Sequence, residues 1–377
     1  MILQKTFLEF FAGIGLIRWA LEREDWQCLF ANDIDGSKRI TYAANFPAVD
    51  YVVGDVGELH AAQVPSALLA TAGFPCTDLS LAGAREGLRG SESRSFWGFT
   101  HVLESMGEKR PPLVLIENVP GFLTSHKGAD FRAAVQELNR LGYRCDPFLI
   151  DAACFVPQSR VRLFIVGALD RFSLMPPFSE NVLFSEGSHR SQALANAILR
   201  NTDLKWSIKP LPPLPAIVSS LSDVVETLPK NDPAWWSDDR VKKLLSQMNE
   251  AHLERVESRR ASTKAFHATV YRRMRNAVST AEVRDDGVAG CLRTPRGGSS
   301  RQILVVAGRG SIRARYMTPR EYARLQGVSD DYVIPGRSNQ GLFGFGDAVC
   351  VPVIRWIAQN YLTPLALRLA RGLERAS

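Results

Sequence analysis

Three short apolar runs near the N-terminus are each followed, within three residues, by a glycine or an acidic residue. They span 6–10, 28–31 and 51–53, and their β-branched and aromatic content is typical of buried strands. A helical pattern follows the first run, after the turn Phe-Ala-Gly-Ile-Gly at 11–15. Strands that alternate with helices predict an α/β fold with a parallel sheet. Ligands of such folds bind at the carboxyl ends of the strands, so we expect the site at that edge.

The residues that follow these runs suit a nucleoside. Gly13 and Gly15 let the backbone approach a ligand closely, with a purely structural turn as the alternative. Asp33 lies where dinucleotide-binding folds place an acidic residue for the ribose hydroxyls, with helix capping as the alternative. Asp55 ends the third run and could accept a hydrogen bond from an adenine amino group. Because Arg18 replaces the third glycine of the dinucleotide fingerprint, a simple NAD site is not expected.

A fourth strand-like run, 67–72, leads to Gly-Phe-Pro-Cys at 73–76. Gly73 and Pro75 are predicted to end the strand and to leave Cys76 at the mouth of the sheet. A thiolate there could act as a nucleophile, whereas most lone cysteines are small buried hydrophobes. The segment 81–95 contains three glycines and three arginines without an apolar period. It predicts either a basic loop that closes over a substrate or a plain surface loop.

Three further charged residues are candidates for the same cleft. Glu117 follows the buried run 113–116, where a carboxyl group could serve in acid–base chemistry. Gln-Ser-Arg-Val-Arg occupies 158–162, ahead of another strand-like run. Alternation in an extended segment predicts Arg160 and Arg162 on one face. Two guanidinium groups there suit a pyrimidine carbonyl or a phosphate, with a surface pair bridged to acids as the alternative.

Composition limits the class of protein. The chain has 377 residues, 45% of them hydrophobic, which suggests two domains or one large one. The six cysteines form no CxxC pair, so we expect a reduced, cytoplasmic protein without a metal site. No signal peptide and no apolar run of transmembrane length are expected.

The positive charge is concentrated in one part of the chain. The whole sequence has a net charge of +7, yet residues 181–340 contain 25 basic and 16 acidic residues, a net charge of +9. A polyanionic partner such as nucleic acid is expected there, with a merely soluble basic surface as the alternative. The basic, glycine-rich segment 294–302 predicts contact with a phosphate backbone, or a plain connection between strands.

Helical patterns are recognisable in the second half. One long helix is predicted over 238–260, from its apolar face. A short helix is predicted from Pro319, with Thr318 as its N-cap. A third, amphipathic helix is predicted over 347–361.

The ordered set of motifs resembles the DNA (cytosine-5) methyltransferase family through nearly the whole chain. Besides 11–15, 73–76 and 158–162, the set includes Asn-Asp-Ile-Asp (32–35), Gly-Asp-Val (54–56), Glu-Asn-Val (117–119), Arg-Glu-Tyr-Ala-Arg-Leu-Gln-Gly (320–327) and Gly-Asp-Ala-Val (346–349). The resemblance implies an S-adenosylmethionine-dependent, Rossmann-like α/β fold, with a mixed sheet, helices on both faces and a smaller target-recognition domain. It implies a catalytic, cofactor-binding domain at 1–178 and 341–377, and the DNA-binding domain at 179–340.

The resemblance also implies roles for single residues. Cys76 matches the nucleophile that adds to C6 of a cytosine flipped out of double-stranded DNA. Glu117 matches the residue that holds N3 and the exocyclic amine, and Arg162 with Arg160 matches the group bound to O2. The implied cofactor pocket consists of Phe11, Ala12, Gly13, Ile14, Gly15, Asp33, Ile34, Asp55, Val56, Pro75, Asp347, Ala348 and Val349. The predicted DNA contacts are Ser80, Arg85, Arg89, Arg94, Arg296, Gly297, Ser299, Ser300 and Arg301.

Four positions depart from the family pattern. Thr77 stands where Gln is more usual, Leu79 replaces a common Phe, Asp347 replaces Asn, and Leu16 replaces a second glycine. They bear on contacts of the loop and of the cofactor rim, and they leave the cysteine, the glutamate and the arginines intact.

Two other functions are weighed against DNA methylation. An RNA cytosine methyltransferase of the tRNA-modifying branch has a Cys-Phe-Thr motif, whereas Cys154-Phe155 continues here with Val156. A catalytically silent DNA-binding module is expected to have lost Cys76 or Glu117, and both are present. We therefore expect a cytoplasmic enzyme, monomeric when acting, that belongs with other components of a restriction or phage-defence system.

Overall fold

We describe the fold from a computed structural model of the chain. The described residues are 4–46, 51–74, 94–172, 174, 178, 180–185, 189–217, 219–275, 278–294, 301–336 and 338–376. The chain forms two compact units. The first unit combines residues 1–151, 161–214 and 353–377, and the second combines 152–160 with 215–352.

The helices account for much of both units. In chain order they are α1 (Leu16–Glu22), α2 (Lys38–Asn45), α3 (Arg94–Ser105), α4 (Ala129–Arg140), α5 (Glu180–Leu183), α6 (Gln192–Leu199), α7 (Leu221–Val224), α8 (Asp238–Leu245), α9 (Glu250–Glu257), α10 (Pro319–Leu325), α11 (Ser338–Asp347), α12 (Val351–Ile357) and α13 (Thr363–Ala376). A π-helical turn over 358–362 connects the last two.

The first unit is built on a seven-stranded sheet. Its strands are β1 (Thr6–Phe10), β2 (Gln27–Asp33), β3 (Tyr51–Val53), β4 (Leu69–Ala72), β5 (Leu113–Asn118), β6 (Tyr143–Asp151) and β7 (Val161–Leu169). The strand order is β3-β2-β1-β4-β5-β7-β6, parallel from β3 to β5, with β7 antiparallel to both of its neighbours. The carboxyl ends of β1, β4 and β5 therefore lie at the same edge as the start of β7.

Helices cover both faces of this sheet. Successive side chains of β1 point to opposite faces. Leu8 and Phe10 share a core cluster with residues of α3 and α4. On the opposite face, Glu9 accepts hydrogen bonds from the Arg18 N–H in α1 and the Tyr42 hydroxyl in α2. The predicted α/β fold with a mixed sheet is confirmed.

The second unit contains a four-stranded antiparallel sheet. Its strands are β8 (Phe266–Arg275), β9 (Val278–Arg284), β10 (Ile303–Gly308) and β11 (Ser311–Tyr316), in the order β11-β10-β8-β9. Helices α8 and α9 cover one face, where Val241, Leu244 and Val256 share a core cluster with Ala268 and Ile303. This burial explains the apolar face of the helical pattern in this part of the chain.

The single helix predicted over 238–260 is wrong. Helix α8 ends at Leu245, and α9 begins at Glu250. Between them the Gln247 carbonyl accepts a hydrogen bond from the Ala281 N–H of β9 (2.9 Å), and Asn249 caps α9 by accepting from the His252 N–H (2.9 Å). Pairing with the sheet therefore interrupts the helix.

The helix predicted over 347–361 is also wrong at its start. Asp347 is the last residue of α11, and α12 begins at Val351, whose N–H donates to the Gln326 carbonyl (2.8 Å). The short helix from Pro319 is confirmed, and Thr318 caps it by accepting a hydrogen bond from the Glu321 N–H.

One helical run differs from the expectation that no segment is long and apolar enough to span a membrane. Among the described residues, Gln340–Gly372 meets that test of length and composition. However, 72% of its most apolar window is buried inside the protein, as in the core helix of a globular fold.

The compact units divide the chain at other residues than the predicted functional domains. Leu194, Ile198 and Trp206, which follow the predicted boundary at 178, belong to the core of the first unit. This packing does not test which residues bind DNA, so the functional boundaries remain a prediction.

Gly15 provides a test of the turn after β1. Its φ is +82°, and an added Cβ would lie 2.5 Å from the Phe46 ring and 2.8 Å from the Tyr42 ring. We expect Gly15→Ala to lower the free energy of unfolding by about 2 kcal/mol or more, because strain and overpacking add. Gly54→Ala is the control, since nothing lies within 4 Å of its added Cβ. Urea unfolding measures both, and equal shifts of the two midpoints would contradict the prediction.

Candidate active site

The turn after β1 has a left-handed backbone at three positions. The angle φ is +56° at Phe11, +57° at Gly13 and +82° at Gly15. The Ala12 N–H donates to the Asn32 carbonyl (2.9 Å), which joins the turn to the end of β2. A phenylalanine in this conformation is strained, and such strain is concentrated at binding sites.

Asp33 holds this turn from the neighbouring strand. Its carboxylate accepts hydrogen bonds from the N–H groups of Gly13 and Asp35, each at 2.8 Å. It does not cap α2, because Ser37 is the residue that precedes this helix. Next to Asp33, the side chain of Ile34 is 68% exposed. An exposed isoleucine among polar groups at a ligand edge offers an apolar surface for a flat ring.

The turn after β3 is held against α3. Asp55 accepts a hydrogen bond from the Gly57 N–H (2.8 Å), and the side chain of Val56 is buried. An added Cβ at Gly98 in α3 would lie 2.9 Å from the Gly57 nitrogen. The close approach of two glycines therefore fixes the third strand end beside the helix that follows the cysteine segment.

Glu117 and Arg162 meet at the carboxyl edge of the sheet. Glu117 is at the end of β5 and Arg162 is near the start of β7, and Oε1 of Glu117 lies 3.0 Å from Nε of Arg162. The contact is an ion pair without hydrogen-bond geometry, since the same buried Oε1 has no hydrogen-bond partner. Both side chains are mostly buried, so salt screens their attraction less than it screens a surface pair.

The strand that leads toward Cys76 runs beside this carboxylate. An added Cβ at Gly73 would lie 3.5 Å from Oε2 of Glu117. The Asn118 amide donates to the Phe74 carbonyl (3.5 Å). The end of β4 and the end of β5 are thereby held together up to the last described residue before Cys76.

Several predicted site residues lie outside the described residues. They are Pro75, Cys76, Ser80, Arg85, Arg89, Arg296, Gly297, Ser299 and Ser300. Arg94 begins α3, so the loop predicted over 81–95 is wrong at its last two residues. Arg301 is described, and its guanidinium lies 4.1 Å from the ring centroid of Tyr316.

The side chain of Arg160 donates hydrogen bonds to backbone carbonyls of the second unit. Its buried guanidinium donates to the carbonyls of Leu292 (3.0 Å) and Ala348 (2.6 Å). Strand β7 begins only at Val161, and Arg160 and Arg162 belong to different units. The structure therefore gives Arg160 a positioning geometry, while its predicted contact with a substrate remains a prediction.

Gln158 and Gln326 extend this framework and were missed as site residues. The Gln158 amide donates to the Leu325 carbonyl (2.7 Å), and its oxygen accepts from the Leu292 N–H (3.0 Å). The Gln326 amide donates to the carbonyls of Phe345 (2.7 Å) and Ala348 (3.2 Å). The predicted cofactor residues Asp347 and Ala348 thus lie in a segment that the buried side chains of Arg160 and Gln326 hold in place, and Val349 follows it.

Glu9 is another residue that the sequence analysis missed. It lies inside the first apolar strand and is fully buried under the glycine turn. It accepts hydrogen bonds from the Arg18 N–H and the Tyr42 hydroxyl, both at 3.0 Å. Burial raises the pKa of Glu9 to about 8. A single acidic residue within a strand of large apolar residues was the available signal.

Replacing Arg160 tests its structural role. Arg160→Ala removes the charged donor from the carbonyls of Leu292 and Ala348, so we expect a loss of about 2–4 kcal/mol in the free energy of unfolding. Arg162→Ala is the matched control, and its loss should be smaller because the Arg162 side chain is less deeply buried than that of Arg160. Denaturant titration measures both variants. Equal losses would show that Arg160 does not organise this framework.

Glu9 makes the stability of the protein depend on pH. Its pKa is about 8 in the folded protein against an ordinary value of 4.5, so the folded state binds more protons between these values. The stability contributed by Glu9 is therefore complete below 4.5 and is lost as the pH rises to about 8. We expect the free energy of unfolding of the wild type to fall relative to Glu9→Gln over this range. Urea titrations across the range would refute this if the two curves ran parallel.

Comparisons with known proteins agree with this architecture. The C-5 cytosine-specific DNA methylase family model matches residues 5–363. The Type II methyltransferase M.DsaV of Dactylococcopsis salina is 29% identical over 365 residues, which cover 97% of this chain and 88% of the relative. The Type II methyltransferase M.HpaII of Haemophilus parainfluenzae is 27% identical over 383 residues, which cover 96% and 90%.

Solved structures share the fold. The Entamoeba histolytica methyltransferase EhMeth superposes with a TM-score of 0.64 at 17% identity, covering 96% of this chain and 98% of that one. The S. pombe Dnmt2 methyltransferase superposes with a TM-score of 0.61, also at 17% identity, covering 96% and 98%. Because the family model spans nearly the whole sequence, this chain belongs to the C-5 cytosine-specific DNA methylase family and is a DNA (cytosine-5-)-methyltransferase.

Proposed function

We propose that the enzyme transfers a methyl group from S-adenosylmethionine to C5 of a cytosine flipped out of duplex DNA, through a covalent bond between Cys76 and C6. The observation that carries this proposal is the Glu117–Arg162 ion pair beside Gly73 at the carboxyl edge of the sheet. A carboxyl group and a guanidinium group are thereby brought to the strand end that leads to the cysteine. The glycine turn after β1 opens onto the same edge.

The chemistry of cytosine requires these residue types. C5 is too electron-poor to accept a methyl group directly, and addition of the Cys76 thiolate to C6 makes C5 nucleophilic. As the carbon–sulfur bond forms, negative charge moves onto the ring. Glu117, protonated at this step, donates to N3, and Arg162 donates to O2. Afterwards a base removes the C5 proton, the C5–C6 double bond forms again, and Cys76 leaves as the thiolate.

The residues at the first three strand ends fit S-adenosylmethionine. Ile34 exposes an apolar side chain beside the carboxylates of Asp33 and Asp55 and the left-handed turn at 11–15. An apolar surface suits the adenine ring, and the carboxylates suit the ribose hydroxyl groups and the adenine amino group. When bound there, the cofactor supplies an electrophilic methyl group. Asp347, Ala348 and Val349 are also proposed as cofactor-binding residues.

Duplex DNA is the proposed substrate. Because C5 of cytosine is enclosed in the stacked helix, the base must be flipped out before it can react. The net charge of +9 over residues 181–340 supports DNA binding within the proposed target-recognition domain, 179–340. The relatives named as Type II methyltransferases support a role in a restriction–modification or phage-defence system. We propose that the enzyme acts in the cytoplasm as a monomer.

Bisulfite sequencing of genomic DNA from cells that express the enzyme tests the proposal. We expect methylation at one short sequence, and none in cells that express Cys76→Ala, because the carbon–sulfur bond cannot form. Glu117→Gln should lower kcat by at least about 100-fold, since the amide cannot pass a proton to N3. Purified Cys76→Ala should still bind duplex DNA.

The other outcomes point elsewhere. Methylation that persists in Cys76→Ala would exclude Cys76 as the nucleophile. Methylated cellular RNA without methylated DNA would indicate an RNA cytosine methyltransferase. DNA binding without methylation of either nucleic acid would indicate a silent binding module.

A further inference from the structure

Three arginines surround the ring of Tyr316 in the second unit. The guanidinium groups of Arg301 and Arg240 lie 4.1 Å and 5.3 Å from the ring centroid, and Arg272 donates to the Tyr316 hydroxyl (2.8 Å). Arg240 also lies 3.9 Å from the ring centroid of Trp236, which packs edge-on against Tyr316 at 5.1 Å. We call these five residues the Tyr316 cluster.

The Tyr316 cluster is held by regular secondary structure. Tyr316 ends β11, Arg272 lies on β8, and Arg240 lies on α8. Alternation places Tyr316 on the same face of β11 as Ala314, which packs in the core beneath α8. Side chains on strands and helices are positioned more precisely than side chains on loops. Arg240 and Arg272 therefore need little ordering to bind a ligand.

The ion pairs of the described residues leave the charges of Arg240 and Arg301 unneutralised. Within the described part of the chain, no carboxylate forms an ion pair with Arg240 or Arg301, whereas the neighbouring Asp239 pairs with Lys242 (3.9 Å). Aromatic rings attract guanidinium groups through their faces but leave the positive charge in place. Gathering like charges this closely is unfavourable in the free protein. A bound anion would remove that cost.

We propose that the Tyr316 cluster binds a phosphate group of the DNA backbone. The inference rests on the proposed function, since duplex DNA is the polyanion that it supplies. Guanidinium groups match phosphate oxygens in pairs, and Arg240 is exposed to meet them. Phosphate contacts of this kind set the position of a protein on the duplex without reading its sequence. Arg301 also lies at the end of the basic segment in which the sequence analysis predicted such contacts.

The salt dependence of DNA binding tests this site. The slope of log affinity against log salt concentration is negative, and each lost phosphate contact makes it less negative by about 0.9. We expect this change for Arg240→Ala and for Arg301→Ala, measured by fluorescence anisotropy with a mixed-sequence duplex, together with several-fold weaker binding at low salt. Lys242→Ala is the matched control, because it removes an equal charge from the same helix and should keep the wild-type slope.

Further variants separate charge from folding. Arg240→Lys keeps the charge but not the planar group, so its slope should stay near that of the wild type while its affinity falls. Arg240→Gln keeps the side-chain stem over Trp236, and it replaces Arg240→Ala as the test if the alanine variant melts at a lower temperature. The sequence that is methylated, read by bisulfite sequencing, should be the same in every variant.

Two results would overturn the inference. One is an unchanged salt slope in both Arg240→Gln and Arg301→Ala, and the other is a changed target sequence, which would mean that the arginines read bases. Failure of the proposed function is seen separately, in the wild type. A wild-type enzyme that methylates DNA while the variants keep its slope would overturn only the phosphate site.

Discussion

The parallel pairing of β1 with β2 on one side and β4 on the other is the constraint on which the site depends. Parallel neighbours end at the same edge, so this pairing brings the glycine turn, Asp33 and Gly73 together. The parallel pairing of β4 with β5 adds Glu117, and the reversal at β7 adds Arg162 from the opposite chain direction. No one of these segments could form the site alone.

Buried ionisable groups stabilise this edge of the sheet by forming hydrogen bonds with the backbone. The carboxyl group of Glu9 accepts from the first turn of α1, and the carboxylate of Asp33 accepts from the glycine turn. Arg160 performs the converse task, because its guanidinium donates to the carbonyls of Leu292 and Ala348. Such groups are costly to bury unless they are paired, which makes each one a sensitive point of the architecture.

The second unit uses arginine in two ways. Arg315 is fully buried and its guanidinium donates to the carboxylate of Glu321 (2.7 Å), which ties β11 to α10. The arginines around Tyr316 stack on aromatic rings instead, and two of them form no ion pair among the described residues. The first arrangement neutralises charge for folding, and the second leaves it available to a polyanion.

Local pattern was sufficient for the strands of the large sheet, because a buried strand is a continuous apolar run whatever its neighbours are. It did not predict β8, β9 and β11 of the second unit, which are rich in polar and charged residues. The predicted runs 6–10 and 51–53 coincide with β1 and β3, and the resemblance of the ordered motifs identified the family correctly. The ends of the helices could not be predicted from the local sequence. Helix α8 ends just before the Gln247 carbonyl accepts a hydrogen bond from β9, and α12 begins where the Val351 N–H donates to the Gln326 carbonyl. Both partners are distant in the chain.

The sequence by itself thus determined the alternation of strands and helices in the first unit, the glycine turn and the types of residue that the chemistry needs. The tertiary structure decided which partner each charged side chain has. Arg160 and Arg162 are two residues apart in one motif, yet Arg160 donates to Leu292, 132 residues away, and Arg162 pairs with Glu117. The physical reason is that hydrogen bonds and ion pairs act over a few ångströms in space, and only the folded chain sets those distances.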